Sequence, residues 1–216
     1  MKKEEDYHPT KSIYVVDARQ SHAIAQLFAT LARMNFKREL YHLSYEFVAL
    51  TVGVMASRTG NVIAYETFRD RLFTQARRGT KERHPDWSEK QVESTSRAVA
   101  FAAMRFGMLR QDVEKKIVFD FDEALSFDGF SGPYLLYTYA RIQSLSEKAG
   151  KTKVIFDASA LTHPLEHQLL VHLSKYPEVL FEMSQSYHLA LLAHYLFELC
   201  QLYSTFYNEL PILKAD

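Results

Sequence analysis

The period of the apolar positions changes along the chain, and the changes mark out its elements. Residues 12–16 (SIYVV) form a β-branched and aromatic run that predicts a buried strand. Ala23, Leu27, Phe28 and Leu31 then recur at helical spacing and predict a helix over 21–34. Residues 40–50 mix aromatic and polar side chains and are read as a second strand; 51–61, with Gly53 and Gly60, are read as a loop. Strand, helix and strand in that order predict one parallel crossover unit. Parallel sheets need cover on both faces, and one such unit is too small for a whole domain, so part of a sheet is expected upstream. From Tyr65 onward the period is helical, with helices predicted over 66–78, 89–109, 133–147, 165–175 and 187–207. In the last of these, His188, Glu198, Gln201 and Thr205 form a polar stripe and leucines and aromatics fill the rest, as on an amphipathic bundle helix. Residues 119–132 (FDFDEALSFDGFSG) are read as a hinge between the two parts.

Composition narrows this picture only slightly. A chain of 216 residues can bury enough surface to fold without disulfides or metal. The single cysteine, Cys200, excludes an internal disulfide and a four-cysteine zinc site and suits a reducing compartment. The N-terminal stretch MKKEEDYHPTK is charged, with no apolar run behind it, so no secretory leader is expected there. The most apolar segment, 189–203, contains His194, Glu198 and Gln201 and is shorter than the ~20 apolar residues of a membrane span. A soluble, cytoplasmic protein with no membrane partner is the expectation. Basic and acidic side chains number 26 each. A strongly basic surface is the usual footprint of nucleic-acid binding, so any RNA contact must come from local clusters, and no DNA partner is expected.

Three stretches, in order, carry a family resemblance. "IYVVDARQSHAIAQLFATLARMNF" resembles a strand and helix from the second catalytic half of arginyl-tRNA synthetases. "GVMASRTGNVI" is similar to their form of the Lys-Met-Ser-Lys-Ser loop. "IVFDFDEALSFDGFSGPYLLYTYARIQSL", followed by "LEHQLLVHLSKYPEVLFEMSQSYHLALLAHYLFELCQLYSTFYNELPIL", resembles the anticodon-binding domain named after an Asp-Ala-Leu-Arg element. The resemblance runs from about Ile13 onward. It implies an α/β part with a partial Rossmann-like crossover unit, then an all-α helical bundle, with helix predominating. It implies domains at 1–125, the end of a class I catalytic domain, and 126–216, an incomplete anticodon-binding domain. The implied parent activity is ATP-dependent arginylation of tRNA, an arginine–tRNA ligase. Its partners are arginine, ATP with magnesium as substrate, tRNA(Arg), and a separate N-terminal half if one exists; no protein-bound metal is implied. The family's His-x-Gly-His and Tyr-x-Thr-Arg-Asp elements are absent from this sequence, so the expectation is a piece of the enzyme, cut at both ends and inert alone. A non-catalytic tRNA-binding module is the alternative.

Carried over by position, the resemblance puts Gln20 in the arginine pocket; the residues alone allow a surface glutamine at a helix start. His22 is displaced by one residue from a family histidine, which turns a helical side chain by about 100°, and is read as an exposed helix residue. Gly53, Met55, Ser57, Arg58 and Gly60 match the ATP loop, with Ser57 and Arg58 as catalytic candidates. Val54 stands where the family's first loop lysine would be and cannot supply a cation for pyrophosphate. Arg69, Arg71, Arg77, Arg78, Lys81 and Arg83 form the densest basic region, suited to RNA phosphates or to the negative end of a helix. Tyr134, Tyr137 and Arg141 share one helix face, at i, i+3 and i+7. That face fits stacking on unpaired tRNA bases or packing against a neighbouring helix. Leu135, Thr138, Ile142 and Leu145 form a second face, suited to the core. His163, Glu166 and His167 spell H-x-x-E-H, but Pro164 puts His163 at a helix entrance, and no metal site is expected. Cys200, within an apolar helix, is read as a buried structural thiol.

Overall fold

The computed structural model describes residues 2–50, 64–150 and 157–213. A short helix α1 (Lys2–Tyr7) precedes β1 (Lys11–Asp17), a single 3-10 turn (Ala18–Gln20) and α2 (Ser21–Arg33). β2 (Glu39–Tyr45) returns parallel to β1, with Lys11 opposite Glu39 and Asp17 opposite Tyr45. The strand–helix–strand unit thus has the parallel sense its order predicts.

The second predicted strand is two strands. β2 ends at Tyr45, and after Glu46 and Phe47 the chain enters β3 (Val48–Leu50), which pairs with a different partner, β4 (Ile117–Phe119). The switch is fixed by hydrogen bonds: Glu46 N–H donates to the carbonyl of Val113, and Ile117 N–H donates to the carbonyl of Phe47.

Long helices follow. α3 (Tyr65–Arg83) and α4 (Glu89–Leu109) form a hairpin. Ser88 starts α4 through a capping box with Gln91, satisfying backbone donors at the helix entrance. Beneath this hairpin lie β3, β4 and a one-turn helix α5 (Phe121–Ala124), capped by Asp120. The core gathers there: Leu50, Phe68, Leu72, Val99, Ala103, Phe119 and Phe121 are all buried. Phe68, Phe119 and Phe121 pack edge-on and tilted, with centroids 4.8–5.5 Å apart, the geometry aromatic quadrupoles favour.

The bundle consists of α6 (Gly132–Ala149), α7 (Pro164–Ser174), α8 (Tyr176–Ser186) and α9 (Ala190–Glu209). Ser131 caps α6, and Gly150, at φ 69°, ends it. α8 lies outside the predicted elements. The 119–132 stretch read as a hinge contains the end of β4 and all of α5. The expected α6 core face is split: Thr138 is buried, whereas Ile142 is 36% exposed. Among the described residues no helix is long and apolar enough to cross a membrane.

Candidate strand-end site and nucleic-acid interface

The carboxyl ends of parallel strands are where open α/β sheets hold ligands, and β1 ends on a built turn. Asp17, buried, accepts a hydrogen bond from the Arg19 backbone N–H at 2.8 Å. It also accepts two from the Arg19 guanidinium, from Nε at 2.9 Å and Nη2 at 3.1 Å. That pairing holds the Asp17 carboxyl below its ordinary range. The Arg19 guanidinium also lies 4.2 Å from the centroid of the Phe47 ring. The turn therefore ends with Gln20 exposed at the N-cap of α2, making no capping bond with its side chain. Its amide is free of a helix-capping duty. His22 is exposed on the first turn of α2. Gly53, Val54, Met55, Ser57, Arg58 and Gly60 lie outside the described residues.

The aromatic face of α6 divides. Tyr134 turns toward α9: its hydroxyl lies 3.2 Å from the Ser204 hydroxyl and its ring packs on Phe197. Tyr137 is 46% exposed and accepts a 2.6 Å hydrogen bond from Arg141 Nη2. The Arg141 guanidinium lies 4.8 Å from the Tyr137 ring centroid and 4.7 Å from that of Tyr207 on α9. Arg141 thus bridges two tyrosine rings, one from each helix. They edge a cavity of about 220 Å³, which Ser144, Leu145, Lys148 and Leu213 complete. Tyr207 and Lys148 were not among the sequence candidates. Tyr207 comes from a helix far along the chain, and only Lys148, two turns past Arg141, could have been found from helical phase.

The basic region of α3 is internally partnered. Arg77 and Lys81 both reach the Glu89 carboxylate, whose pKa they lower, Lys81 the more. Arg69 pairs with Asp70 at 2.7 Å, and Arg78 with Glu82 at 3.7 Å. Arg71 and Arg83 lie over Phe121 and Phe127, 4.1 and 4.7 Å from the ring centroids. His163 is the N-cap of α7 in a capping box with Glu166: its Nδ1 accepts from Leu165 N–H. Among the described residues no group of three His, Cys, Asp or Glu side chains could hold a metal ion. Cys200 is half-buried, and burial pushes its thiol up, with a hydrogen bond to Thr138 opposing.

Known proteins resemble this chain in sequence and in fold. Residues 1–121 match the family described as tRNA synthetases class I (R), catalytic domain, and residues 135–216 match the DALR anticodon binding domain. An arginine–tRNA ligase of Bdellovibrio bacteriovorus is 37% identical over 98% of this chain and 37% of its own length. One from Streptomyces coelicolor is 31% identical, over 98% of this chain and 37% of its own length. The Thermus thermophilus arginyl-tRNA synthetase structure superposes with a TM-score of 0.86 at 31% identity, covering 96% of this chain and 36% of that one. The chain therefore spans a little over a third of the relatives it matches. With a strand-end turn at β1, a helical bundle behind it, and the catalytic-domain match running through more than half its residues, this chain belongs to the class I tRNA synthetase (R) family.

Proposed function

We propose that the chain supplies one wall of the arginine and ATP sites, and the anticodon platform, of an arginine–tRNA ligase working in the cytoplasm. In that reaction the arginine carboxylate attacks the α-phosphate of ATP, giving an adenylate and pyrophosphate. The terminal hydroxyl of tRNA then takes the arginyl group and AMP leaves. ATP enters as its magnesium complex, as substrate.

The roles divide between the two parts, which we separate at about residue 125. Gln20 offers its amide to arginine at the end of β1. Ser57 and Arg58, with Gly53, Met55 and Gly60, attend the phosphates. Tyr137 and Arg141, joined by Tyr207, stack on unpaired tRNA bases; Tyr134 supports that face from within through Ser204. The observation that carries the reading is the Arg141 guanidinium held between two tyrosine rings, one of them nearly half exposed, at the mouth of a cavity. Flat π faces and a cation accept any unstacked base.

The complementary half of the sites would come from a polypeptide corresponding to the upstream part of the relatives. Arginine-dependent ATP–pyrophosphate exchange tests this. We expect none from the chain alone and measurable exchange when that upstream polypeptide is added. Exchange by the chain alone, in a preparation free of host synthetase, overturns the division of labour.

A further inference from the structure

The turn between α8 and α9 adopts a conformation its sequence does not favour. Tyr187, the C-cap of α8, sits at φ 61°, ψ 17°, in the left-handed region. Glycine or asparagine usually fills such a position, because a Cβ crowds the backbone there. A bulky ring held in that region points to something the ring is needed for.

What the ring touches belongs to the strand pair. The Tyr187 centroid lies 4.8 Å from that of Tyr41 on β2. Lys11 Nζ, at the start of β1, lies 5.0 Å from the Tyr187 centroid and 5.3 Å from that of Tyr41. The same ammonium pairs with Glu39 at 2.6 Å, and Glu39 faces Lys11 across the parallel ladder. The Tyr41 hydroxyl donates to the Ser186 carbonyl at 3.3 Å. The next residue, His188, lies 4.0 Å from Asp112 in the turn between α4 and β4. Two consecutive residues thus reach both the strand pair and the α4–β4 turn.

We infer that Tyr187 is a positioning residue. With Lys11 and Tyr41 it clasps the α8–α9 elbow to the strand pair, so that Tyr207 on α9 keeps a fixed relation to Gln20 beyond β1. The clasp sits at the opposite end of β1 from Gln20, roughly 20 Å away at strand rise. Together with the proposed RNA platform, on which this part rests, it carries occupancy of the Tyr137–Arg141–Tyr207 face to the strand pair.

Hydrogen exchange of the whole chain separates a clasp from a mere helix cap. If Tyr187 only ends α8, Tyr187→Gly relieves the left-handed backbone, and exchange slows or stays the same. If it clasps, Tyr187→Gly speeds exchange in β1 and β2 by about tenfold or more, while α3 and α4 amides keep their rates. Tyr187→Phe, which keeps the ring beside Lys11, stays much nearer the parent. Unchanged or slower strand exchange in Tyr187→Gly overturns the inference, as does acceleration spread equally through α3 and α4. A tRNA transcript is then added, with binding followed by gel retardation. Coupling requires RNA to slow β1 and β2 exchange in the parent and not in Tyr187→Gly, with both chains retarded. Equal slowing in both refutes coupling. RNA that retards neither chain counts against the RNA platform and the coupling built on it, and the RNA-free comparison still decides the clasp.

Discussion

Asp17 shows how one side chain can shape the turn that presents Gln20, the residue proposed to meet arginine. Its carboxylate organises the turn that ends at Gln20 by accepting from both the backbone and the side chain of Arg19. Its folded pKa is depressed below the ordinary 3.8, chiefly by the Arg19 side chain. The stability this gives is therefore complete above the ordinary carboxylate range and is lost as pH falls through the folded value. Asp17→Asn should lower the melting temperature near neutral pH, and the gap to the parent should narrow below about pH 4. A gap that stays constant into strong acid would contradict the role given to the charge. This turn was only partly legible in the sequence. Gln20 stood out by family position, but the Asp17–Arg19 pairing spans two residues and leaves no periodic trace. Helical phase identified Tyr134, Tyr137 and Arg141 as sharing a face. It could not tell which stretch of that face α9 covers, so it did not separate the inward Tyr134 from the exposed Tyr137, and it missed Tyr207 altogether.

At the scale of elements, α4 and α6 approach each other more closely than their side chains would allow in general. A methyl placed on Gly132, in the first turn of α6, would run into the backbone carbonyl of Ala102 on α4 and crowd Phe106 Cβ at 3.0 Å. Backbone cannot yield as a flexible side chain can. Gly132→Ala should therefore cost about 1–3 kcal/mol, lowering the melting temperature by roughly 2–4 °C per kcal/mol in a chain of this size. Thermal unfolding checks it; an unchanged or higher melting temperature would mean that the two helices can slide apart freely. The helices of this region were legible because their apolar repeats are long; the caps at Ser88 and Ser131 emerge only in the structure. The misread elements have identifiable causes. Residues 40–50 mix aromatic, aliphatic and polar side chains with no turn signal among them, yet the chain changes partner at Glu46 and Phe47, and the new partner, β4, lies some seventy residues downstream. β4 itself has three residues, too few for a period. α8 begins with Tyr176 and Pro177; proline reads as punctuation, but in the first helical turn it costs no hydrogen bond.

For the whole molecule, the balanced charge of the sequence and the pairing found in α3 agree. Exposed ion pairs contribute only about 0–1 kcal/mol each, so Arg77, Arg78 and Lys81 can exchange their internal partners for phosphates, but they do not form a free basic surface. RNA affinity should therefore depend more on stacking than on charge. The measurement closest to the centre of this account is a mobility-shift titration of the chain with a tRNA transcript and with a duplex RNA of equal length. It is made with the parent, Tyr137→Ala and Tyr207→Ala chains at several salt concentrations. Each neutralised phosphate adds roughly 0.7–0.9 to the log–log salt slope. We expect weak binding that favours the tRNA, with a shallow salt slope. Either variant should lose about 1–3 kcal/mol of tRNA binding, a factor of roughly 5 to 150 in Kd, with duplex binding unchanged. Equal affinity for both RNAs, unaltered in Tyr137→Ala and Tyr207→Ala and falling steeply with salt, would contradict it and assign the RNA contact to the basic side chains of α3.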